Sequence, residues 1–269
     1  MMLKRWLSGL FLGAIVFAVT WFGDPFFSIF IAAIAILGSF EFFPLIGVSK
    51  KHPITIFGMI GVLLFIGMAR FGNGKNSMEY TAPLLTASVT LPLIWLVFQS
   101  DTKNAAINWA WLIVGILYLG WMLSHFVPLR QLESGRDLVI LTIVGNVVSD
   151  TAAFHCGLKW GRRRMAPRIS PAKSWEGAAA GFIGAIAVVI ILGTFLPTLN
   201  LPYWQSAVLG ILIGIFAPLG DLAESLLKRS TGVKDSGNCV PGHGGILDRL
   251  DSILFTVVVV YYFVIWVVL

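Results

Sequence analysis

The sequence predicts an all-α membrane protein, a polytopic bundle of about nine transmembrane helices. Of its 269 residues, 57% are hydrophobic and only 12% are charged. Soluble domains carry about 25% charged residues, so this chain has too few polar side chains to cover a water-soluble surface. Several uninterrupted apolar runs also reach the ~20 residues that a helix needs to cross a bilayer. We therefore exclude a soluble protein and expect the lipid bilayer to surround most of the chain.

Nine apolar segments follow one another along the chain. Short stretches rich in polar residues, Gly or Pro separate them, for example Gly23-Asp24-Pro25 and residues 197–202. Because lipid offers no hydrogen bonds to backbone groups, such segments are predicted to be helices. The two-residue alternation of strands is absent from them. The predicted spans are 6–22, 26–47, 54–70, 80–98, 105–127, 138–157, 175–196, 203–223 and 252–269.

The first segment has the outline of a signal peptide. Lys4 and Arg5 precede a long apolar run, but residues 15–25 hold no convincing small-residue cleavage site. We therefore interpret this segment as a retained helix. Residues 1–137 are predicted to form an N-terminal region of about five transmembrane helices.

The distribution of Lys and Arg over alternate loops predicts the orientation of the helices. With the N-terminus on the cytoplasmic side, fifteen of the nineteen basic residues fall on that side and four on the other. Cytoplasmic loops of membrane proteins carry such an excess of Lys and Arg. An eight-helix arrangement would remove the asymmetry. The sequence therefore predicts nine spans with a cytoplasmic N-terminus and an outside C-terminus.

Two long loops on the predicted cytoplasmic face, 158–174 and 224–251, hold most of the basic residues. The general bias of cytoplasmic loops accounts for the basic residues of the shorter loops. It does not account for these two, which also concentrate Asp, His, Gly and Pro. We therefore expect the functional residues in the C-terminal region 138–269, to which both loops belong.

Five of the thirteen acidic residues lie between positions 221 and 251. Within this segment, polar side chains occupy positions i, i+3, i+4 and i+7, so a helix would present them on one face. Two further aspartates lie one turn apart where the last span begins. The first group consists of Asp221, Glu224, Ser225 and Lys228, and the second of Asp248 and Asp251.

This segment suits the binding of a polyphosphate together with a metal ion. Mg²⁺ prefers oxygen ligands, and it usually binds through one or two carboxylates plus substrate phosphates. Basic side chains can neutralise the remaining phosphate oxygens. The Pro-Gly-His-Gly-Gly stretch 241–245 lets backbone approach a ligand closely, because Gly has no Cβ. Its last glycines precede a helix N-terminus, where backbone N–H groups favour anions.

Each of these residues also has a plainer interpretation. Glu224 and Lys228 can form an ordinary i,i+4 helix pair, and His243 can be a turn residue. Asp248 and Asp251 can be charges that the N-terminus of a helix favours. That all of them merely decorate a solvated surface is the weaker hypothesis, because charges placed against a bilayer are costly and usually functional.

The segment from Ser225 to Asp251 carries a signature. It reads Ser-x-x-Lys-Arg, four residues, Lys-Asp-x-Gly, and then Pro-Gly-His-Gly-Gly-x-x-Asp-Arg-x-Asp. With every fixed position at the right spacing, it resembles the signature of the phosphatidate cytidylyltransferases. The resemblance continues upstream over roughly the C-terminal half, through Gly220-Asp221, residues 168–177 and residues 150–154. Phe154 and Ala172 depart from it, since Tyr and Lys are common there.

The resemblance implies a function: transfer of CMP from CTP to phosphatidic acid, which gives CDP-diacylglycerol and pyrophosphate. It places the enzyme in the inner (cytoplasmic) membrane with its active site on the cytoplasmic face. Asp221 and Asp248 match the family's metal ligands, for Mg²⁺ and for a monovalent cation such as K⁺ at a second position. The other matched positions, expected to be catalytic, are Lys228, Arg229, Lys234, Asp235, His243, Arg249 and Asp251.

The loop 158–174 and the helices beside it are expected to bind substrate. Its basic residues can hold a lipid headgroup or the CTP phosphates, or they can serve only to orient the helices. Glu176 falls in the first turn of a predicted helix, and this position fits a role in stabilising the helix dipole as well as it fits a catalytic role. Asp150 lies in an apolar helix, where we expect a basic residue as its partner. The predicted substrate-binding residues are Asp150, Arg168, Ser170, Lys173, Glu176 and Glu224.

Two partner predictions accompany this assignment. The resemblance implies a homodimer, although glycines such as Gly177, Gly181 and Gly184 can equally serve packing within one chain. CTP, phosphatidic acid and the bilayer are the expected partners, and no nucleic acid is expected.

Two rival functions remain to be weighed. A CTP-dependent lipid kinase would phosphorylate a hydroxyl and release CDP, but the complete signature argues against it. A transporter with a regulatory loop would carry polar residues near the midplane of successive helices, and many transporters also contain internal repeats. Here the polar residues instead concentrate on one face.

Overall fold

The computed structural model describes residues 2–47, 52–72, 77–98, 104–199, 201–237 and 244–269. In these ranges the chain forms ten α-helices and one two-stranded hairpin. Shorter helical turns follow α2 (Phe43–Ile46), α5 (Ile116–Met122, π-helical) and α10 (Val264–Val268, π-helical). The main elements are α1 (Met2–Phe22), α2 (Phe26–Phe42), α3 (Pro53–Phe71), α4 (Ser77–Val97), α5 (Ala105–Gly115), α6 (Phe126–Gln131), α7 (Gly135–Trp160), β1 (Arg164–Ala166), β2 (Ser170–Ser174), α8 (Trp175–Phe195), α9 (Tyr203–Ser230) and α10 (Leu247–Phe263).

The predicted all-α membrane architecture is confirmed. Eight helical stretches among the described residues are long and apolar enough to cross a membrane, and α1 contributes a shorter apolar stretch, Gly9–Phe22. Many large apolar side chains of these helices are exposed, as expected where a helix faces lipid. All nine predicted apolar segments are therefore helical. The orientation of the termini stays a prediction, and Lys50, Lys51, Lys75 and Lys103, which the charge count used, lie outside the described residues.

The predicted boundaries differ from the structure at the polar ends of three helices. α7 continues to Trp160 and α9 to Ser230, while α10 begins at Leu247. The loop predicted at 224–251 is thus shorter than expected. Hydrophobic patterns end where a helix leaves the apolar layer, but the hydrogen-bonded helix itself continues into polar surroundings. Functional residues predicted in a loop therefore lie on the last turns of α9.

The chain forms two compact units. The first comprises Met1–Ile15, Phe22–Pro128 and Asp235–Leu247, and the second Val16–Trp21, Leu129–Lys234 and Asp248–Leu269. The predicted division into an N-terminal region 1–137 and a catalytic region 138–269 stays a prediction.

The core of the first unit is built around aromatic side chains. Phe43 is fully buried, and its ring occupies the space that a Cβ at Gly58 of α3 or at Gly115 of α5 would fill. Phe42 packs edge-on against it, with ring centroids 5.5 Å apart. Edge-to-face pairs add to the stabilisation that burial alone provides. The end of α2 is thereby held between α3 and α5.

In the second unit, α8 packs closely against both α7 and α9. A Cβ at Gly177 would lie 2.6 Å from the Ala153 carbonyl oxygen of α7, and one at Gly181 would lie 2.7 Å from the Ser149 carbonyl oxygen. Small residues allow such close approach of helix backbones in membranes. Of the two uses considered for these glycines, the structure shows packing within the chain.

The predicted loop 158–174 contains the hairpin. β1 and β2 are antiparallel, with Arg164 opposite Ser174 and Ala166 opposite Ser170. The Trp175 N–H donates to the Arg163 carbonyl, 2.9 Å away, which ties the hairpin to the start of α8. Ser174 caps α8, since its hydroxyl oxygen accepts the Gly177 N–H. The hairpin is too short to show the two-residue alternation that would have predicted it.

Candidate active site

The second unit contains a pocket of about 530 Å³, lined by residues of α7, β1, β2, α8, α9 and α10. Four acidic and two basic side chains face it, so that acidic groups are in excess. The other lining residues are largely apolar or small. The charged side chains are Asp150, Asp221, Asp248, Asp251, Lys173 and Arg249.

Asp221 meets the hairpin through an ion pair. Its Oδ2 lies 2.7 Å from Nζ of Lys173 on β2, and its Oδ1 accepts the Ser225 hydroxyl at 3.3 Å. Lys173 also donates to the Pro218 carbonyl at 3.4 Å. The Asp221 side chain is 31% exposed and the Lys173 side chain 23% exposed. This pair therefore lies at the open side of the pocket, where a ligand can compete for it.

Lys228 joins α9 to α10. Its Nζ lies 2.9 Å from Oε2 of Glu224 and 2.5 Å from Oδ1 of Asp248. Glu224 is fully buried, and its Oε1 has no hydrogen-bond partner within the described part of the chain. The i,i+4 pair that the plainer interpretation proposed is thus present, but the same lysine also holds a carboxylate of the next helix. The helical spacing of these residues was predicted correctly.

Ser252 links two further carboxylates. Its hydroxyl donates to Oδ2 of Asp150 and lies equally close, 3.1 Å, to Oδ1 of Asp251, which also accepts the Ser252 N–H at 2.7 Å. The hydroxyl of Ser252 is the hydrogen-bond donor to Asp150. The basic residues expected as its partners, Lys173 and Arg249, attract the carboxylate electrostatically.

A line of polar groups continues from Ser252 along α10. Thr256 donates to the Ser252 carbonyl at 3.2 Å and accepts a 2.7 Å hydrogen bond from Nδ2 of Asn146 on α7. All three side chains are buried. In an apolar layer such groups must bond to one another, so they fix the register of α10 against α7. Sequence reasoning missed Ser252 and Thr256. The feature that could have indicated them is a pair of hydroxyl side chains one helical turn apart, directly after Asp248 and Asp251.

The hairpin residues divide into two groups. Ser170 and Lys173 line the pocket, whereas Arg168 is exposed and is not part of the lining. Glu176 accepts the backbone N–H groups of Arg162 at 3.1 Å and Arg163 at 3.2 Å. Its carboxylate thus holds the turn between α7 and β1 at the first turn of α8, a role that neither the dipole-stabilising nor the catalytic hypothesis included.

The remaining predicted residues lie at the end of α9 and beyond. Arg229 is exposed, and its Nε donates to the Ile169 carbonyl in the turn of the hairpin at 3.3 Å. Lys234 and Asp235 are exposed. His243 lies outside the described residues. For these four positions the catalytic role stays a prediction.

The predicted metal ligands Asp221 and Asp248 both face the pocket, and each has one carboxylate oxygen engaged by a lysine. Within the described ranges, no three Asp, Glu, His or Cys side chains are arranged to hold an ion by themselves. Mg²⁺ needs only one or two carboxylates when substrate phosphates supply other ligands. Two carboxylates in a pocket with an excess of acidic groups fit that requirement.

The comparison with known proteins covers nearly the whole chain. Residues 3–267 match the sequence model of the cytidylyltransferase family. The chain is 34% identical to the phosphatidate cytidylyltransferase of Bacillus subtilis, over 97% of each chain. It is 32% identical to that of Synechocystis sp., over 97% of this chain and 96% of the other, and 32% identical to that of Thermotoga maritima, over 86% and 84%. Because the matches include the N-terminal helices that the signature does not reach, the chain belongs to the cytidylyltransferase family.

Proposed function

We propose that this protein is a phosphatidate cytidylyltransferase, which transfers CMP from CTP to phosphatidic acid. One observation carries the proposal beyond family membership: three helices and a hairpin bring six charged side chains to one pocket, among them Asp248, Arg249 and Asp251 of the signature. Its lining also includes apolar side chains such as Phe154 and Leu158. A substrate with a charged phosphate and acyl chains needs both kinds of surface.

In the proposed reaction, a phosphate oxygen of phosphatidic acid attacks the α-phosphorus of CTP. A new P–O bond forms, the bond to the bridging oxygen breaks, and pyrophosphate leaves with its electron pair. The attacking phosphate is already an anion at neutral pH, so no side chain has to act as nucleophile. Lys173 and Arg249 face the pocket and would neutralise charge that develops on the phosphates, the most effective form of electrostatic catalysis.

Asp221 and Asp248 would hold Mg²⁺, with K⁺ as the candidate for a second position. A bound metal ion would supply further charge neutralisation at the phosphates. Lys173 and Lys228, which contact these aspartates, orient the two carboxylates. The lysines also balance their charge, so the site can exist before any ion binds.

The remaining parts of the proposal concern the cellular setting. The charge count supports a cytoplasmic N-terminus, an outside C-terminus and an active site on the cytoplasmic face of the inner membrane. Phosphatidic acid would then enter from the adjoining leaflet. A homodimer is proposed from the resemblance, with an interface other than the face of Gly177 and Gly181. We propose no nucleic-acid partner.

The decisive experiment uses purified protein in detergent micelles with Mg²⁺, phosphatidic acid and CTP labelled at the α-phosphorus. The proposal predicts label in the lipid and one pyrophosphate for each labelled lipid. Release of CDP with a polyprenol acceptor would instead indicate a lipid kinase, and no consumption of CTP with any lipid would reject an enzymatic role.

The first variant to assay is Asp248→Asn, which keeps the size of the side chain and removes its charge. We expect turnover to fall by at least a hundredfold, as when an electrostatic contribution to the transition state is lost. Exposed Glu133 provides the matched control Glu133→Gln. Near wild-type turnover of correctly inserted Asp248→Asn would contradict the assignment.

A further inference from the structure

Glu41 is a charged residue in a segment where no charge is expected. It is the only charged residue between positions 26 and 47, and it lies at the penultimate position of α2. A charge in such a helix is costly unless it has a partner, and it usually marks a function. No motif of the signature includes it.

The carboxylate of Glu41 binds the segment that leads into α10. Its Oε2 accepts the backbone N–H of Leu247 at 2.9 Å and the hydroxyl of Ser236 at 3.2 Å. Leu247 is the first residue of α10. The N–H groups at the start of a helix have no intrahelical acceptor, and the helix dipole favours a negative charge there. Glu41 supplies both the acceptor and the charge from a residue 206 positions away in the sequence.

Two glycines of the signature leave room for this carboxylate. A Cβ at Gly237 would lie 2.7 Å from Oε1 of Glu41, and a Cβ at Gly245 would overlap the same carboxylate and the Ser236 hydroxyl. Oε1 is itself buried, without a hydrogen-bond partner among the described residues. Gly237 and Gly245 therefore both leave the space that the Glu41 carboxylate occupies.

We propose that Glu41 is a positioning residue of the enzyme, which fixes the first turn of α10 and thereby the signature aspartates that follow. Asp248 comes directly after Leu247, and Asp251 lies one turn further along the same helix. An acceptor for the first N–H group stabilises that end of the helix against unwinding, so the backbone that carries both aspartates keeps its helical conformation. This inference rests on the proposed function, because it assigns Glu41 a part in that reaction.

Two measurements on Glu41→Ala test the proposal. Hydrogen exchange of the full-length protein in micelles should be faster at Leu247 and in the next turn of α10, with the other helices unchanged. With cytidylyl transfer as the assay, kcat should fall about ten- to a hundredfold, the factor expected for a lost charge-assisted hydrogen bond. KM for CTP should change less than threefold, because the contacts of Glu41 are to Ser236 and backbone.

Glu41→Gln keeps an acceptor oxygen and removes the charge, so its kcat and its exchange at Leu247 should lie between those of wild type and Glu41→Ala. Gly237→Ala should displace the carboxylate and reproduce the effects of Glu41→Ala. In a double-mutant cycle, Gly237→Ala should cost little once Glu41 is already Ala, since sites in contact are not additive. Exposed Glu133, changed to Ala, is the matched control and should behave as wild type.

The outcomes separate the two proposals. A kcat of Glu41→Ala within twofold of wild type, or unchanged exchange at Leu247, would overturn the positioning role. Faster exchange throughout the protein with normal kcat per folded molecule would also overturn it, since that pattern indicates general stabilisation only. If Glu41→Ala does not fold, additive effects of Gly237→Ala and Glu41→Gln overturn the role and non-additive effects support it. An inactive wild type would reject the proposed reaction, while exchange at Leu247 would still test the contact.

Discussion

The two lysines that contact the proposed metal ligands, Lys173 and Lys228, hold carboxylates in different ways. Lys173 and Asp221 form a pair at the open side, with side-chain exposures of 23% and 31%. Lys228 lies between Glu224 and Asp248, with side-chain exposures of 11%, 1% and 11%. An exposed ion pair contributes little to stability, whereas removal of one partner from a buried pair leaves a charge that nothing compensates. The same two residue types thus form a partly exposed pair in one place and a buried group that joins two helices in the other.

The largest effect is expected for Lys228→Met, which removes the charge between two carboxylates. Glu224 and Asp248 would then face each other without a cation, at a cost of about 3–5 kcal/mol. We expect a clearly lower midpoint of thermal unfolding in micelles and loss of cytidylyl transfer. Lys159→Met is the matched control, because Lys159 is exposed and stacks on Trp160.

A second substitution shows whether the lost stability comes from the uncompensated charge. In the Lys228→Met background, Glu224→Gln should restore part of the thermal midpoint, because it removes one of the two carboxylates. Two outcomes would contradict the distinction between the buried group around Lys228 and the partly exposed Lys173–Asp221 pair. One is that Lys228→Met unfolds at the wild-type temperature, and the other is that Glu224→Gln lowers its thermal midpoint further.

The helical pair within the buried group, Glu224 and Lys228, could be predicted from the sequence, whereas the partly exposed pair of Lys173 and Asp221 could not. The spacing of Glu224 and Lys228 is a local property of one helix, so periodicity alone placed them together. Lys173 and Asp221 are separated by 48 residues, and their contact depends on a hairpin that the hydrophobic pattern read as a loop. Local spacing predicts contacts within an element, but not contacts that arise when elements pack.

The same limit explains why the contact of Glu41 with the start of α10 was not predicted from the sequence. A single charge in an apolar segment is unusual, but no pattern in the sequence indicates a partner 206 residues away. The apolar spans themselves were predicted well, because the bilayer imposes one length and one composition on each of them. Their polar ends were predicted less well, since α7 and α9 continue as helices beyond the apolar layer.

An intermediate effect is expected for Lys173→Met, which should lower activity strongly and stability only slightly. Asp221 is partly exposed, so water can replace the lysine, and the free energy of unfolding should change by about 1 kcal/mol or less. Turnover should still fall by about a hundredfold, because a cation aimed at the phosphates is lost. Lys173→Arg keeps the charge and should retain more activity than Lys173→Met. A loss of thermal stability as large as that of Lys228→Met would contradict this assignment.

The smallest effect is expected for Ser252→Ala, which tests a carboxylate pair held without a lysine. The hydroxyl lies 3.1 Å from both Asp150 and Asp251, but the backbone N–H of Ser252 still binds Asp251 after the substitution. We expect a loss of about 1 kcal/mol in the free energy of unfolding, the usual worth of one hydrogen bond, and a fall in kcat/KM of less than tenfold. Thermal unfolding and cytidylyl transfer on one preparation measure both. A loss of activity as large as that of Lys173→Met would mean that the carboxylates held by Ser252 take part in the reaction, because a hydroxyl that only orders the helices would affect stability first.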